Sequence, residues 1–227
     1  MTFRNNLYAY RPLDLILRPR VVILMYHSIA DNFRDPHAVR PDDFAAHMAA
    51  IASAGIPVIP LQSAVQNRYA GHAIVLTFDD AYRDFLHNAA PVLRKHGFPA
   101  TVFAPTGLLG GRAVWDTYDT SKPLMDWDEL TEVSRCGFTV GSHTVSHTRL
   151  TDCDSRQIHE ELASSLDALL TRIPNAIRAL SYPGGYCGQR EMAAVKQAAY
   201  TCAVTVTSRL GNYSWTNPYA LHRRKWR

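Results

Sequence analysis

The 227-residue chain has only four cysteines, Cys136, Cys153, Cys187 and Cys202, and no C-x-x-C pair. That spacing argues against a zinc ribbon, and nothing in it demands disulfides, so free, partly buried thiols are expected. Charged residues are few, 19% against 47% hydrophobic. This excludes a disordered chain and suits one globular domain with a sizeable core. No membrane span is expected, because the apolar run Val21–Tyr26 falls far short of the roughly 20 residues a spanning helix needs. No secretory leader is expected either, because Arg4, Arg11, Arg18 and Arg20 break up the apolar positions before an apolar core could form. A soluble, cytoplasmic protein is the expectation. Internal repeats and low-complexity segments are absent, which excludes solenoids and linker arrays. Excess charge is small at +4, so no nucleic-acid partner is expected. The basic residues Arg223, Arg224, Lys225 and Arg227 gather at the C-terminus, after Arg209. Such a tail can make peripheral contact with phosphate or an acidic membrane surface, although a solvated terminus is the plainer reading.

What the sequence does contain is an alternation of short apolar runs and helical patterns. Val21–Tyr26 reads as a buried strand. Pro41-Asp42-Asp43 opens a helix with Phe44, Met48, Ile51 and Ala52 on one face, and Gly55 stops it. Residues 56–61 read as a second strand bounded by prolines, and 73–78 as a third that runs into Asp79-Asp80. Residues 84–96 are helical, with Phe85, Ala89, Val92 and Leu93 inward and Gly97 at the stop. Strand 100–104 precedes a long loop, 106–123, that carries Trp115 and Tyr118. These two rings can stack on sugars or pin the loop to the core, and loops of this length are often functional. Helix 126–136, strand 138–140, helix 155–171, strand 179–182, helix 189–199 and strand 202–206 follow. Strand and helix repeat about seven times, which implies parallel strands with helices outside. A closed or nearly closed barrel and an open doubly wound sheet both fit, and in either the chemistry sits at the carboxyl ends of the strands. Asp79-Asp80, His143, Tyr182-Pro183 and His27 each follow a strand.

Two motifs carry chemistry. Thr77-Phe78-Asp79-Asp80 puts two carboxylates after a buried strand, where they are costly without partners. One can bind a cation while the other stays free as a base; a helix N-cap is the plainer alternative. Ser142-His143-Thr144-Val145-Ser146-His147 puts imidazoles at i and i+4, which converge on one ion if the segment turns helically. Two histidines and a carboxylate suit zinc and describe an open site that iron also accepts. No Glu follows His143, so this is not the H-E-x-x-H metalloprotease helix. Together the motifs leave coordination positions for water and give the second aspartate a task, since metal lowers the water pKa and a nearby carboxylate takes the proton.

T-F-D-D, then S-H-T-V-S-H, then Y-P-G-G resembles carbohydrate esterase family 4, the polysaccharide deacetylases with a NodB-homology domain. The resemblance runs from about Val21 to Arg224. It implies a distorted (β/α) barrel of about seven parallel strands over residues 21–227, after an N-terminal extension at 1–20. It implies hydrolysis of N-acetyl groups on the amino sugars of a polysaccharide or related glycan by a metal-activated water. By that resemblance Asp80, His143 and His147 bind a divalent metal, zinc or else iron, cobalt or nickel, and Asp79 is the general base. Tyr182, Pro183 and Gly184 form a wall of the site, with the Gly184 amide donating to the oxyanion. The opening V-V-I-L-M-Y-H-S resembles a permuted subgroup of the family, which places the general acid at His27 in preference to His222. The arginine that orients the base in many members is replaced here by Leu180; Arg178 is nearby, and the partner of Asp79 stays open. Two other readings remain, an amidohydrolase or O-acetyl esterase on the same scaffold and an inactive carbohydrate-binding protein. Retention of both aspartates, both histidines and a candidate acid weighs against the second.

Overall fold

A computed structural model describes residues 20–32, 35–66, 71–206 and 211–226. Nearly all of the expected N-terminal extension, together with Arg209 and Arg227, lies outside these residues. Seven strands form one sheet: β1 (Val21–Tyr26), β2 (Ala73–Phe78), β3 (Thr101–Ala104), β4 (Thr139–Ser142), β5 (Ala176–Ser181), β6 (Cys202–Val204) and β7 (Arg223–Lys225). Their order is β6-β5-β4-β3-β2-β1-β7, and every pairing is parallel. The two sheet edges meet just before β7. Leu221 bridges Val204 in parallel, and its amide and carbonyl bond Ala203 O and Thr205 N at 2.9 and 2.8 Å. The sheet is therefore a nearly closed barrel, with helices α1 (Pro41–Ser53), α2 (Leu61–Gln66), α3 (Ala90–His96), α4 (Trp127–Arg135), α5 (Ser155–Arg172) and α6 (Gln189–Gln197) around it.

Successive side chains of a strand point to opposite faces; on β1 to β5 the odd-numbered ones face in, and on β6 Cys202 and Val204 do. Val21, Ile23, Val75, Phe103, Ile177 and Ala179 share one buried cluster with Val204 and Leu221. Even-numbered partners such as Leu24, Leu76, Val102 and Val140 pack outward against the helices. The interior is filled rather than hollow. A Cβ on Gly141 would lie 2.7 Å from the Phe103 ring and 2.9 Å from the Ala179 carbonyl oxygen, so only glycine fits there.

Several elements depart from expectation. Residues 56–61 do not form a strand: Pro57 and Pro60 lack N–H groups, and Val58 makes a single bridge to Ile74 before α2 begins at Leu61. Ala52 faces solvent, while Phe44, Met48 and Ile51 are buried as expected. The helix after Asp84 opens as a wide π turn, Phe85–Ala89, and becomes α-helical just before Pro91. Gly97 ends it in the left-handed region at φ 66°. The C-terminus is not a solvated tail throughout, since β7 completes the barrel and Arg223 is fully buried. All four cysteines are free thiols. Among the described residues no helix is long and apolar enough to cross a membrane.

Candidate active site and metal centre

Inward-facing positions on five strands, or just beyond them, supply the site. Asp79 follows Thr77 on β2, His143 follows Gly141 on β4, Ser181 follows Ala179 on β5, and Arg223 follows Leu221 into β7. His27 follows Met25 off β1. All five carry odd numbers, so residues far apart in the sequence converge at the barrel mouth. The same alternation takes Leu180 into the helix layer against Leu162 and Leu166, leaves Arg178 exposed, and separates His222 from Arg223.

Asp80, His143 and His147 lie together, with one ligand atom from each within 4.8 Å of the others. Asp80 Oδ1 is 3.3 Å from His143 Nε2 and 3.2 Å from His147 Nε2, yet it accepts no well-formed hydrogen bond among the described residues. His143 Nδ1 lies 2.7 Å from the Ser181 carbonyl oxygen and must donate to it. In the neutral ring this leaves the lone pair on Nε2, facing the carboxylate. Lone pairs aimed at one another in a buried space make a poor hydrogen-bonded cluster and a good cation cradle, so the donor set fits a divalent ion.

The turn between the histidines is not helical. Thr144 and His147 adopt left-handed φ values of 66° and 57°, and Asp80 and Ala81 do the same at 72° and 54°. Left-handed backbone is costly for non-glycine residues and concentrates at functional sites. These bends, rather than i, i+4 helical spacing, bring His147 back to His143. Helix α5 supports the turn through Ser165, whose Oγ lies 2.7 Å from Ser142 Oγ and donates to Thr144 O at 3.1 Å. Outside, the Trp115 ring stacks on His147 at 4.0 Å and 19°. Tyr118 is exposed and faces His37. Of the two loop rings, Trp115 pins its loop to the site, and Tyr118 is open at the mouth.

Asp79 is held by the residue that the sequence left open. Arg223 Nη1 and Nη2 donate to Asp79 Oδ1 and Oδ2, each at 2.6 Å, and Ser181 Oγ donates to Oδ2 at 3.1 Å. Burial pushes the Asp79 carboxyl up, but Arg223 and His143 outweigh it and the net shift is downward. Burial likewise opposes ionisation of Asp80, and contacts from His143 and His147 bring it well below the ordinary value. His27 Nε2 stands 4.0 Å from Asp79 Oδ2. Burial lowers its pKa to about 4, against the pull of Asp80 and Asp79. Tyr182 turns its ring into the helix layer, where its hydroxyl donates to Tyr219 O at 3.0 Å. The Tyr182 side chain therefore does not line the barrel mouth. Gly184 and Gly185 both have positive φ, and a Cβ on Gly185 would lie 2.7 Å from Val206.

The polysaccharide deacetylase family model matches residues 66–203. A Bacillus subtilis (strain 168) protein provisionally named a polysaccharide deacetylase, YxkH, is 26% identical over 209 residues, 90% of this chain and 70% of its own length. The chitooligosaccharide deacetylase of Bradyrhizobium sp. (strain ANU 289) is 29% identical over 128 residues, 56% of this chain and 52% of that protein. Among solved structures, IcaB from Ammonifex degensii superposes with a TM-score of 0.80 at 20% identity, over 92% of each chain, and shares the fold. A match through more than half of the sequence, reaching from ahead of β2 into β6 and taking in both aspartates and both histidines, places the chain in the polysaccharide deacetylase family.

Proposed function

We propose that this protein removes N-acetyl groups from the amino sugars of a glycan, with Asp80, His143 and His147 holding a divalent metal, zinc before iron, cobalt or nickel. One observation carries the reading: the buried Asp80 Oδ1 faces two imidazole nitrogens at 3.2–3.3 Å without a hydrogen bond, beside a second carboxylate held separately by an arginine. When bound, such an ion supplies Lewis acidity that acidifies water and polarises a carbonyl. Asp79, kept ionised by Arg223, takes the proton of the attacking water. The water oxygen bonds to the acetyl carbon, and the Gly184 amide donates to the oxyanion. His27 is neutral before reaction, and the 4.0 Å gap to Asp79 gives the proton just released a short path to its ring. His27 then hands that proton to the nitrogen as the C–N bond breaks, giving acetate and a free amino sugar. The chitooligosaccharide deacetylase relative supports a substrate of N-acetylglucosamine type.

The test is acetate release from N-acetylglucosamine oligomers, with and without chelator and added metal. Asp79→Asn should lower kcat by roughly 10²- to 10⁴-fold with metal retained, whereas Asp80→Ala should lose metal and turnover together. Turnover that is indifferent to chelator and to Asp80→Ala would sink the proposal.

A further inference from the structure

Two residues of the metal-site turn carry no catalytic role, yet their amides are tied to a distant helix. Val145 N and Ser146 N donate to Glu161 Oε2 at 2.8 and 2.9 Å, and Ser146 Oγ donates to Glu161 Oε1 at 2.6 Å. Glu161 stands on α5, one turn before Ser165, which holds Ser142 and Thr144 of the same segment. Successive amides that point at one carboxylate form an anion-binding concavity, here filled by the protein's own side chain. The clamped pair lies directly between the left-handed Thr144 and the left-handed His147. Without an external anchor, a turn bent in this way would relax toward commoner backbone angles, and His147 would swing away from Asp80.

We infer that Glu161 is a positioning residue for the metal centre, fixing the backbone that aims His147 at Asp80. This rests on the proposed metal ligands and extends them with a supporting group that touches neither metal nor substrate. His143 is fixed by its own contact with Ser181. For His147, the support is the Glu161 clamp on the amide side of the backbone, the Thr106 and Gly107 amides donating to Thr144 O and Val145 O at 3.1 and 2.9 Å on its carbonyl side, and the Trp115 ring on the His147 face. Glu161 therefore acts on one ligand of the three.

The experiment measures Zn²⁺ affinity by chelator competition on purified full-length protein, alongside apo-protein melting and the visible spectrum of the Co²⁺ form. Glu161→Ala removes both acceptor oxygens and leaves the Val145 and Ser146 amides without the carboxylate. Zn²⁺ affinity should fall by about 10- to 100-fold, and the Co²⁺ spectrum should change. Glu161→Asp, which keeps the carboxylate on a shorter side chain, should fall between wild type and Glu161→Ala. Ser146→Ala, which removes one bond and leaves both amides clamped, should lose only a few-fold and serves if Glu161→Ala does not fold. Apo-protein melting that drops while Zn²⁺ affinity and the Co²⁺ spectrum stay at wild type would reduce Glu161 to a stability role and overturn the inference. Affinity lost in Asp80→Ala but intact in Glu161→Ala overturns this inference alone. Wild-type protein that takes up no stoichiometric Zn²⁺ overturns the proposed function and the inference with it.

Discussion

At the scale of single residues, the pair Arg223–Asp79 decides most. Both groups are buried, and two charge-assisted bonds at 2.6 Å join them. Removing one partner of such a pair leaves a charge without compensation, at a cost of about 3–5 kcal/mol. Arg223→Met should therefore lower the melting temperature by roughly 6–20 °C for a chain of this size. Adding Asp79→Asn to Arg223→Met should recover part of that loss, because the stranded charge is gone; calorimetry on the two single variants and the double variant measures the coupling. Strictly additive losses would mean that the pair does not act as a unit. The grouping of Asp80, His143 and His147 was legible in the sequence as a candidate cation site because its residue types are unusual and stand close after apolar strands. Arg223 was not, because it sits in a terminal cluster of basic residues that reads as a solvated tail. Its role appears only when the barrel closes, β7 falls beside β1, and odd numbering points its side chain inward.

At the scale of elements, the loops over the barrel mouth are fastened by a buried cation. Lys122 Nζ donates to Asp35 and, at 2.7 Å, to Asp116 Oδ2, which also accepts from the Tyr82 hydroxyl at 3.2 Å. One ammonium thus ties the loop after β1 to the loop that carries Trp115, the ring stacked on His147. Local opening follows the weakest fastening of a segment. Lys122→Met should let trypsin cut after the exposed Arg112 faster than in wild type while the barrel core stays protected, as limited proteolysis followed by mass spectrometry will show. Equal cleavage rates would mean that the loop is held elsewhere. The helices and most strands were legible from periodicity and from start and stop signals, such as Pro41 at the head of α1 and Gly97 after α3. Residues 56–61 misled because prolines deny a β-like run its donors. The turn from His143 to His147 misled because its shape comes from left-handed residues braced by α5, a long-range support that i, i+4 spacing cannot reveal.

At the scale of the whole molecule, the first and last parts of the barrel are joined through His47. Its ring sits 4.6 Å from Trp226, just past β7, and 6.3 Å from Tyr26 at the end of β1. Its Nδ1 is buried without a hydrogen-bond partner. Burial, only partly offset by Asp43, lowers the His47 pKa from the ordinary 6.5 to about 4. As the pH falls through about 6.5, the unfolded chain takes up a proton at this residue that the folded protein refuses. Linkage then requires stability to decline with falling pH until the folded ring itself protonates near pH 4. His27, shifted in the same direction by its own burial, adds a term of the same sign. His47→Phe keeps an aromatic ring between Tyr26 and Trp226 and removes the proton. Urea unfolding between pH 4.5 and 7 should therefore give a shallower decline for the variant than for wild type, with the two curves closest near pH 7 in slope. Parallel declines across that range would show that the ring takes up its proton as easily folded as unfolded, and that the contact with Trp226 does not shut water out of the seam between the ends of the chain.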